Sequence, residues 1–190
     1  MLLPGTKIDA SLMQSDIIAF NIVMDRFDEY CYLEIGSYKG GSLLGHLLNP
    51  KCKAAYSIDI RTNSSKNNTN NPDTLDNNTT EDMLWRLEDA GADISKLKCH
   101  DGTIHDISEG FVEKTPNICL IDGEHTNKAA EEDFNFCYSL CKDGVIMFHD
   151  KDHVKAGIEA ALRKMDAPYT SYDLSTLVRA IEVGGKDRLK

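Results

Sequence analysis

The chain predicts an α/β fold built on a mostly parallel sheet, and three observations carry that reading. Helical and strand patterns alternate from residue 16 to the end of the 190 residues, the order expected of βαβ units. The run Asn117-Ile118-Cys119-Leu120-Ile121 is apolar on both faces, as in strands covered by helices from both sides. Polar groups recur where successive strands end, at Glu34, Asp59, Asp101, Asp122 and His149-Asp150, and in an open α/β sheet ligands bind at that edge.

Taken in order, Ile17, Phe20, Met24 and Phe27 stand at helical spacing and predict a helix over 16–28, followed by a strand through Leu33 and Ile35. The strand runs into Gly36-Ser37-Tyr38-Lys39-Gly40-Gly41. Gly36 and Gly40 lack a Cβ, so the backbone there turns sharply and comes close to a ligand. Ser42 and the following Leu43, Leu44, Leu47 and Leu48 begin an amphipathic helix. The glycines read G-x-x-x-G-G rather than the dinucleotide fingerprint G-x-G-x-x-G, and the carboxylate of Glu34 just before them suits no pyrophosphate.

A second strand pattern, Tyr56-Ser57-Ile58-Asp59, also ends in an acid. Residues 61–80, asparagine-rich from Asn63 onward, hold hardly any apolar side chain and predict a flexible loop, readable as a lid or as a plain insertion. Its Asn-x-Ser/Thr triplets are what such a loop yields by chance. Thr79 opens a T-x-x-D capping pattern ahead of Met83, Leu84 and Leu87, so a helix is expected to about Gly91. A third strand, Leu97 to His100, ends in Asp101-Gly102, which also reads as an ordinary turn. After the fourth strand, a helix through Ala129, Phe134 and Leu140 is closed by Asp143-Gly144, and a fifth strand, Val145 to Phe148, follows. The next helix carries Val154, Ile158, Ala161, Leu162 and Met165, with Asp150 or Asp152 as its cap. Strand patterns over 169–174 and 177–183 flank Ser175-Thr176 as a hairpin, and the tail 184–190 reads as frayed.

One domain over 1–190 follows, with 1–15 as an N-terminal extension. A 41% hydrophobic share is enough for a sizeable core, and a formal net charge of -10 disfavours phosphate-backbone binding, so no nucleic-acid partner is expected. Met1 to Gly5 shows no basic-then-apolar leader and no segment is long enough to span a bilayer, which predicts a soluble, cytoplasmic protein with no membrane partner. The six cysteines form no C-x-x-C pair. Cys137 and Cys141 are one helical turn apart and could share a metal, but read as packed core thiols.

With Glu34-x-Gly36-x-x-x-Gly40 in place and Asp59 at the end of the next strand, the chain resembles the class I S-adenosylmethionine-dependent methyltransferases. Their first motif has this form and their second strand ends in an acid on the ribose hydroxyls. The resemblance implies S-adenosylmethionine as cofactor, held by Glu34, Gly36, Ser37, Gly40, Ser42, Asp59, Asp101, Gly102 and Asp122. It also implies a Rossmann-like, seven-stranded, mostly parallel sheet of order 3-2-1-4-5-7-6 with helices on both faces, the terminal hairpin supplying strands six and seven.

The pairing of Ile121-Asp122-Gly123-x-His125 with Phe148-His149-Asp150 is the sharpest local signal. It resembles a branch of these enzymes that includes macrolide sugar O-methyltransferases and cephalosporin hydroxylase-like proteins, and more distantly catechol O-methyltransferase. There a divalent cation, usually magnesium, is held by residues that correspond to Asp122, His149 and Asp150. Imidazole is a less natural magnesium ligand than oxygen, so manganese, iron and zinc are alternatives, and a metal-free enzyme using His125 and His149 for acid-base work stays open. His125, at the general-base position of the sugar enzymes, and Asp122 are the expected catalytic residues. The expected activity is methyl transfer to a hydroxyl of a small molecule, a sugar or other vicinal diol, because a metal touching two neighbouring hydroxyls acidifies one and aims it. Two other classes remain: a cofactor-binding or interaction protein without turnover, and a nicotinamide oxidoreductase, which the missing G-x-G-x-x-G weakens. His46, His100, His105 and His153 are read as surface or packing residues, and a homo-oligomer stays open.

Overall fold

The computed structural model describes residues 12–61, 79–186 and 189. Residues 1–11 of the expected extension and 62–78 of the expected asparagine-rich loop lie outside them. In chain order the elements are α1 (Gln14–Asp25), β1 (Tyr30–Ile35), α2 (Gly41–Leu48), β2 (Cys52–Asp59), α3 (Thr80–Asp89), β3 (Leu97–Asp101), β4 (Ile118–Ile121), α4 (Asn127–Leu140), β5 (Gly144–Phe148), α5 (Lys155–Arg163), β6 (Tyr169–Asp173) and β7 (Arg179–Val183). A 3-10 turn, Ile94–Lys96, leads into β3. No helix among the described residues is long and apolar enough to cross a membrane.

The helix starts follow from local chemistry. Thr79 accepts a hydrogen bond from the Asp82 amide at 3.1 Å, the cap that its T-x-x-D pattern announces, and Thr126 does the same for Ala129 at 3.2 Å. At α1 the Asp16 carboxylate reaches back to the Met13 amide at 3.0 Å. Two expected boundaries differ. Gly144 does not close α4; that helix ends at the Cys141 cap, and Gly144 is the first residue of β5, opposite Val183 of β7. Neither Asp150 nor Asp152 caps α5, whose N-cap is Val154 with no side-chain bond, because the Asp150 carboxylate turns instead toward His125 and His149.

The sheet order is β3-β2-β1-β4-β5-β7-β6. The first five strands pair in parallel and β7 runs antiparallel between β5 and β6. One face carries the core built from Phe20, Val23, Leu43, Leu47, Met83 and Leu87 of α1, α2 and α3; the other packs Phe134, Cys137, Ile158 and Ala161 of α4 and α5 against Leu33, Cys119 and Ile146. Cys137 and Cys141 are fully buried there, as core thiols. Register aligns the strand ends: Ile35 lies beside Ile58 and Ile121, and Ile121 beside Phe148. The residues that follow therefore emerge along one edge.

Candidate active site

At that edge lies a cavity of about 480 Å³, within the range of ligand pockets. The loop after β1 contributes Gly36 and Tyr38, the end of β2 Asp59 and Ile60, the turn after β3 Gly102, Thr103 and Ile104, the turn after β4 Asp122 and Gly123, and α4 Asp133. Among the described residues five carboxylates line it (Asp59, Asp122, Glu124, Glu132 and Asp133) together with His105 and no Lys or Arg. Such a wall suits a ligand that bears positive charge and repels a pyrophosphate. Burial, with Glu132 and Glu124 adding to it, pushes the Asp133 carboxyl up to about 6.

Of the residues expected around the cofactor, Gly36, Asp59, Gly102 and Asp122 line the cavity, whereas Glu34, Ser37, Gly40, Ser42 and Asp101 do not. Gly36 has φ +87°, and a Cβ there would sit 2.1 Å from the Asp122 carbonyl oxygen. The missing side chain thus lets the β1–α2 loop lie against the end of β4. Gly40, φ +85°, is the N-cap of α2, with the Met83 side chain 2.8 Å from where its Cβ would be. Glu34 is 1% exposed and accepts a hydrogen bond from the Ser42 hydroxyl; burial pushes its carboxyl up to about 8, against that bond.

Asp59 accepts from the Tyr38 amide at 2.5 Å, which ties the loop to the end of β2 where Asp59 lines the cavity. Burial raises its pKa, with Arg61 opposing. Ser37 and Asp101 belong to a knot around the buried Arg61 guanidinium, which reaches Ser37 at 2.5 Å, Ser57 at 2.7 Å and Asp101 at 3.1 Å. Thr80 also donates to Asp101. These side chains fasten the loop, β2, β3 and α3 to one another, a role that motif position alone does not reveal.

Beside the cavity the structure brings the three expected metal ligands together. One ligand atom each from Asp122, His149 and Asp150 lies within 4.8 Å of the others, a set that no other His, Cys, Asp or Glu group among the described residues matches. His149 Nδ1 is 3.1 Å from Asp122 Oδ1 and 3.4 Å from Asp150 Oδ2. Asp150 sits at φ +48°, a left-handed conformation that aspartate tolerates better than most residues and that aims its side chain back at the cluster. Burial works against a charged His149, but Asp122, Asp16 and Asp150 outweigh it and raise its pKa to about 9. Two carboxylates and one imidazole nitrogen fit a divalent first-row cation, manganese, iron or zinc more naturally than magnesium.

His125 completes the group: its Nε2 is 3.3 Å from Asp150 and 3.7 Å from Asp122, its side chain is 44% exposed, and its ring meets His153 edge-on at 5.9 Å. It does not line the cavity; its ring partner His153 lines a shallow groove with Asn127, Asp152 and Lys155. Among the other histidines, His46 is fully buried and stacked on Tyr32 at 3.5 Å, a packing residue as expected, while His105 lines the cavity and faces Glu132 at 3.4 Å.

The residue that sequence reasoning missed is Asp16. It is fully buried on α1, its Oδ2 lies 3.3 Å from His149 Nε2, and its Oδ1 accepts from the Ser175 hydroxyl at 2.7 Å. Its sequence signal is an acid at 16 in the stripe that Phe20 and Val23 continue, where an apolar side chain belongs.

The fold, the glycine loop and the acid that ends β2 define a class I S-adenosylmethionine-dependent methyltransferase. Residues 33–151 match the family model described as a methyltransferase domain, and the chain belongs to that family. No curated protein matches it by sequence. Among solved structures it is similar to the O-methyltransferase NovP, with TM-score 0.64 and 10% identity over 90% of this chain and 79% of that one. The ribosomal protein L11 methylase from Lactobacillus delbrueckii subsp. bulgaricus aligns with TM-score 0.63 and 13% identity, over 93% of this chain and 82% of that one. The precorrin 8W decarboxylase of Methanobacterium thermoautotrophicum aligns at 0.58 and 13%, over 96% of each chain. Reactions this different on one scaffold mean that these likenesses carry the fold, and the acceptor has to be argued from the site.

Proposed function

We propose that the protein transfers the methyl group of S-adenosylmethionine to a hydroxyl of a small molecule, a sugar or other vicinal diol, with a divalent cation at Asp122, His149 and Asp150. The observation that carries this reading is the convergence of those three residues with His125 beside the cavity. In the cavity, Gly36 and Gly102 offer close backbone approach, Asp59 offers a carboxylate for the ribose hydroxyls, and the acidic wall favours the cationic sulfonium. S-adenosylmethionine would supply an electrophilic methyl group. A bound divalent cation would acidify one hydroxyl of the acceptor. His125 is then within reach of the acceptor proton, and the two carboxylates its Nε2 faces hold the imidazole and stabilise it once it is protonated. The rim at His125 and His153 is exposed enough for a second substrate to enter without crossing the cofactor cavity.

The test is transfer of labelled methyl from S-adenosylmethionine to a panel of sugars, catechols and their mono-hydroxy analogues, with magnesium, manganese or chelator. Transfer to vicinal diols that chelator abolishes is the expected result. Chelator-insensitive transfer would remove the metal and leave His125 and His149 for acid-base work. Cofactor binding with no transfer to any hydroxyl would favour a binding protein without turnover.

A further inference from the structure

We infer that Asp16 is a positioning residue for the cation site: by accepting the Nε2 proton of His149 it leaves the Nδ1 lone pair facing Asp122 and Asp150. The inference rests on the proposed metal reading and adds to it a residue from the opposite end of the chain. A buried carboxylate is costly unless its lone pairs are used, and those of Asp16 are. Oδ2 accepts from the Met13 amide at 3.0 Å and faces His149 Nε2 at 3.3 Å; Oδ1 accepts from Ser175 Oγ at 2.7 Å.

The direction of each bond can be worked out. Ser175 Oγ itself accepts from the amides of Leu177 at 3.2 Å and Val178 at 3.0 Å. A hydroxyl carries one proton, so that of Ser175 goes to Asp16. Asp16 is therefore held as an acceptor, and an ionised carboxylate has no proton to return. In a neutral imidazole the proton then lies on Nε2, and Nδ1 is an acceptor with two carboxylates 3.1 and 3.4 Å away. With Asp122 Oδ1 at 3.1 Å and Asp150 Oδ2 at 3.4 Å, the space at Nδ1 takes either a proton or a cation, and Asp16 keeps the Nε2 proton in place when a cation takes the other position. A carboxylate that holds the far nitrogen of a metal-ligating histidine fixes its tautomer and raises its basicity, and losing such a partner typically costs about 10- to 100-fold in metal affinity. The β6–β7 turn contributes through Ser175, so α1, β5 and the hairpin are joined at this one ring.

The experiment measures Zn²⁺ and Mn²⁺ binding by calorimetry to the full chain and to its Asp16→Ala, Asp16→Asn and Ser175→Ala variants. It also records ¹⁵N chemical shifts of the His149 ring in the zinc-loaded protein. Asp16→Ala is expected to weaken metal binding by about 10- to 100-fold, and Asp16→Asn by less, because its carbonyl still accepts from Nε2–H. Affinity for S-adenosylhomocysteine should stay unchanged, since Asp16 does not line the cavity. The wild-type spectrum should show the proton on Nε2 and zinc on Nδ1. If Asp16→Ala does not fold, the near-isosteric Asn variant and Ser175→Ala, which releases the carboxylate, carry the test. Equal metal affinity in wild type and every folded variant, or zinc on Nε2, overturns the inference alone. A wild type that binds neither ion overturns it together with the proposed metal reading.

Discussion

Replacing Glu34 by Gln should make the protein more stable, and by an amount that grows with pH. Glu34 is 1% exposed and the Ser42 hydroxyl donates to it, with Tyr32 also lowering its pKa; burial, the largest influence, nevertheless drives its carboxyl from an ordinary 4.5 to about 8. The unfolded chain therefore gives up this proton above about pH 4.5 while the folded chain keeps it until about pH 8. Between those values the unfolded state binds fewer protons, so stability falls as pH rises, by about 1.4 kcal/mol per unit at most. By pH 7 the accumulated cost is on the order of 3 kcal/mol, a large part of the 5 to 15 kcal/mol or so typical of a domain. Glutamine keeps an oxygen for Ser42 and has no charge to bury. Urea denaturation of both proteins from pH 4.5 to 8.5 reads the difference directly, because the other titrating groups are common to both. The wild type should match the variant near pH 4.5 and fall progressively below it. Parallel stability curves would mean that Glu34 is not a buried, neutralised acid.

Two further outcomes are expected. Gly36→Ala forces a side chain into a left-handed conformation, and against the Asp122 carbonyl at 2.1 Å. It should cost at least about 1 to 3 kcal/mol in urea denaturation and weaken S-adenosylhomocysteine binding; an undisturbed protein would refute the close approach of loop and strand. Once an acceptor is known, His125→Ala should lose about 10²- to 10⁴-fold in turnover with cofactor affinity unchanged by calorimetry, and an undiminished rate would move the base elsewhere.

What could be read from the sequence depended on whether a residue's role is set by its neighbours in the chain or across the fold. Gly36, Asp59, Asp122 and His149-Asp150 follow apolar strands directly, so a parallel sheet brings them to one edge whatever else the chain does. The cluster of Asp122, His149 and Asp150 was legible for that reason. Asp16 was not: its partners His149 and Ser175 are 133 and 159 residues away, and nothing local distinguishes it from a solvated helix acid except its place in an apolar stripe. Ser37 and Asp101 show the opposite failure. Both stand at motif positions, yet Arg61, a residue with no motif of its own, ties them into a knot that does not line the cavity. The carboxyl end of α4 and the start of α5 were misread because Gly144 and Asp150 carry turn-like identities, while strand pairing and the histidine cluster claim them instead.

The most direct test of the cofactor site is calorimetric titration of S-adenosylhomocysteine into the wild type and into Asp59→Ala. Asp59 is the one charged acceptor at the end of β2 that both lines the cavity and is held in place by the loop, through the Tyr38 amide. Removing hydrogen bonds to a charged group should weaken binding by about 1.5 to 3 kcal/mol, or roughly 10- to 150-fold. A wild type that gives no heat with S-adenosylhomocysteine or S-adenosylmethionine but binds NAD, or an Asp59→Ala protein that binds as tightly as the wild type, would contradict the account.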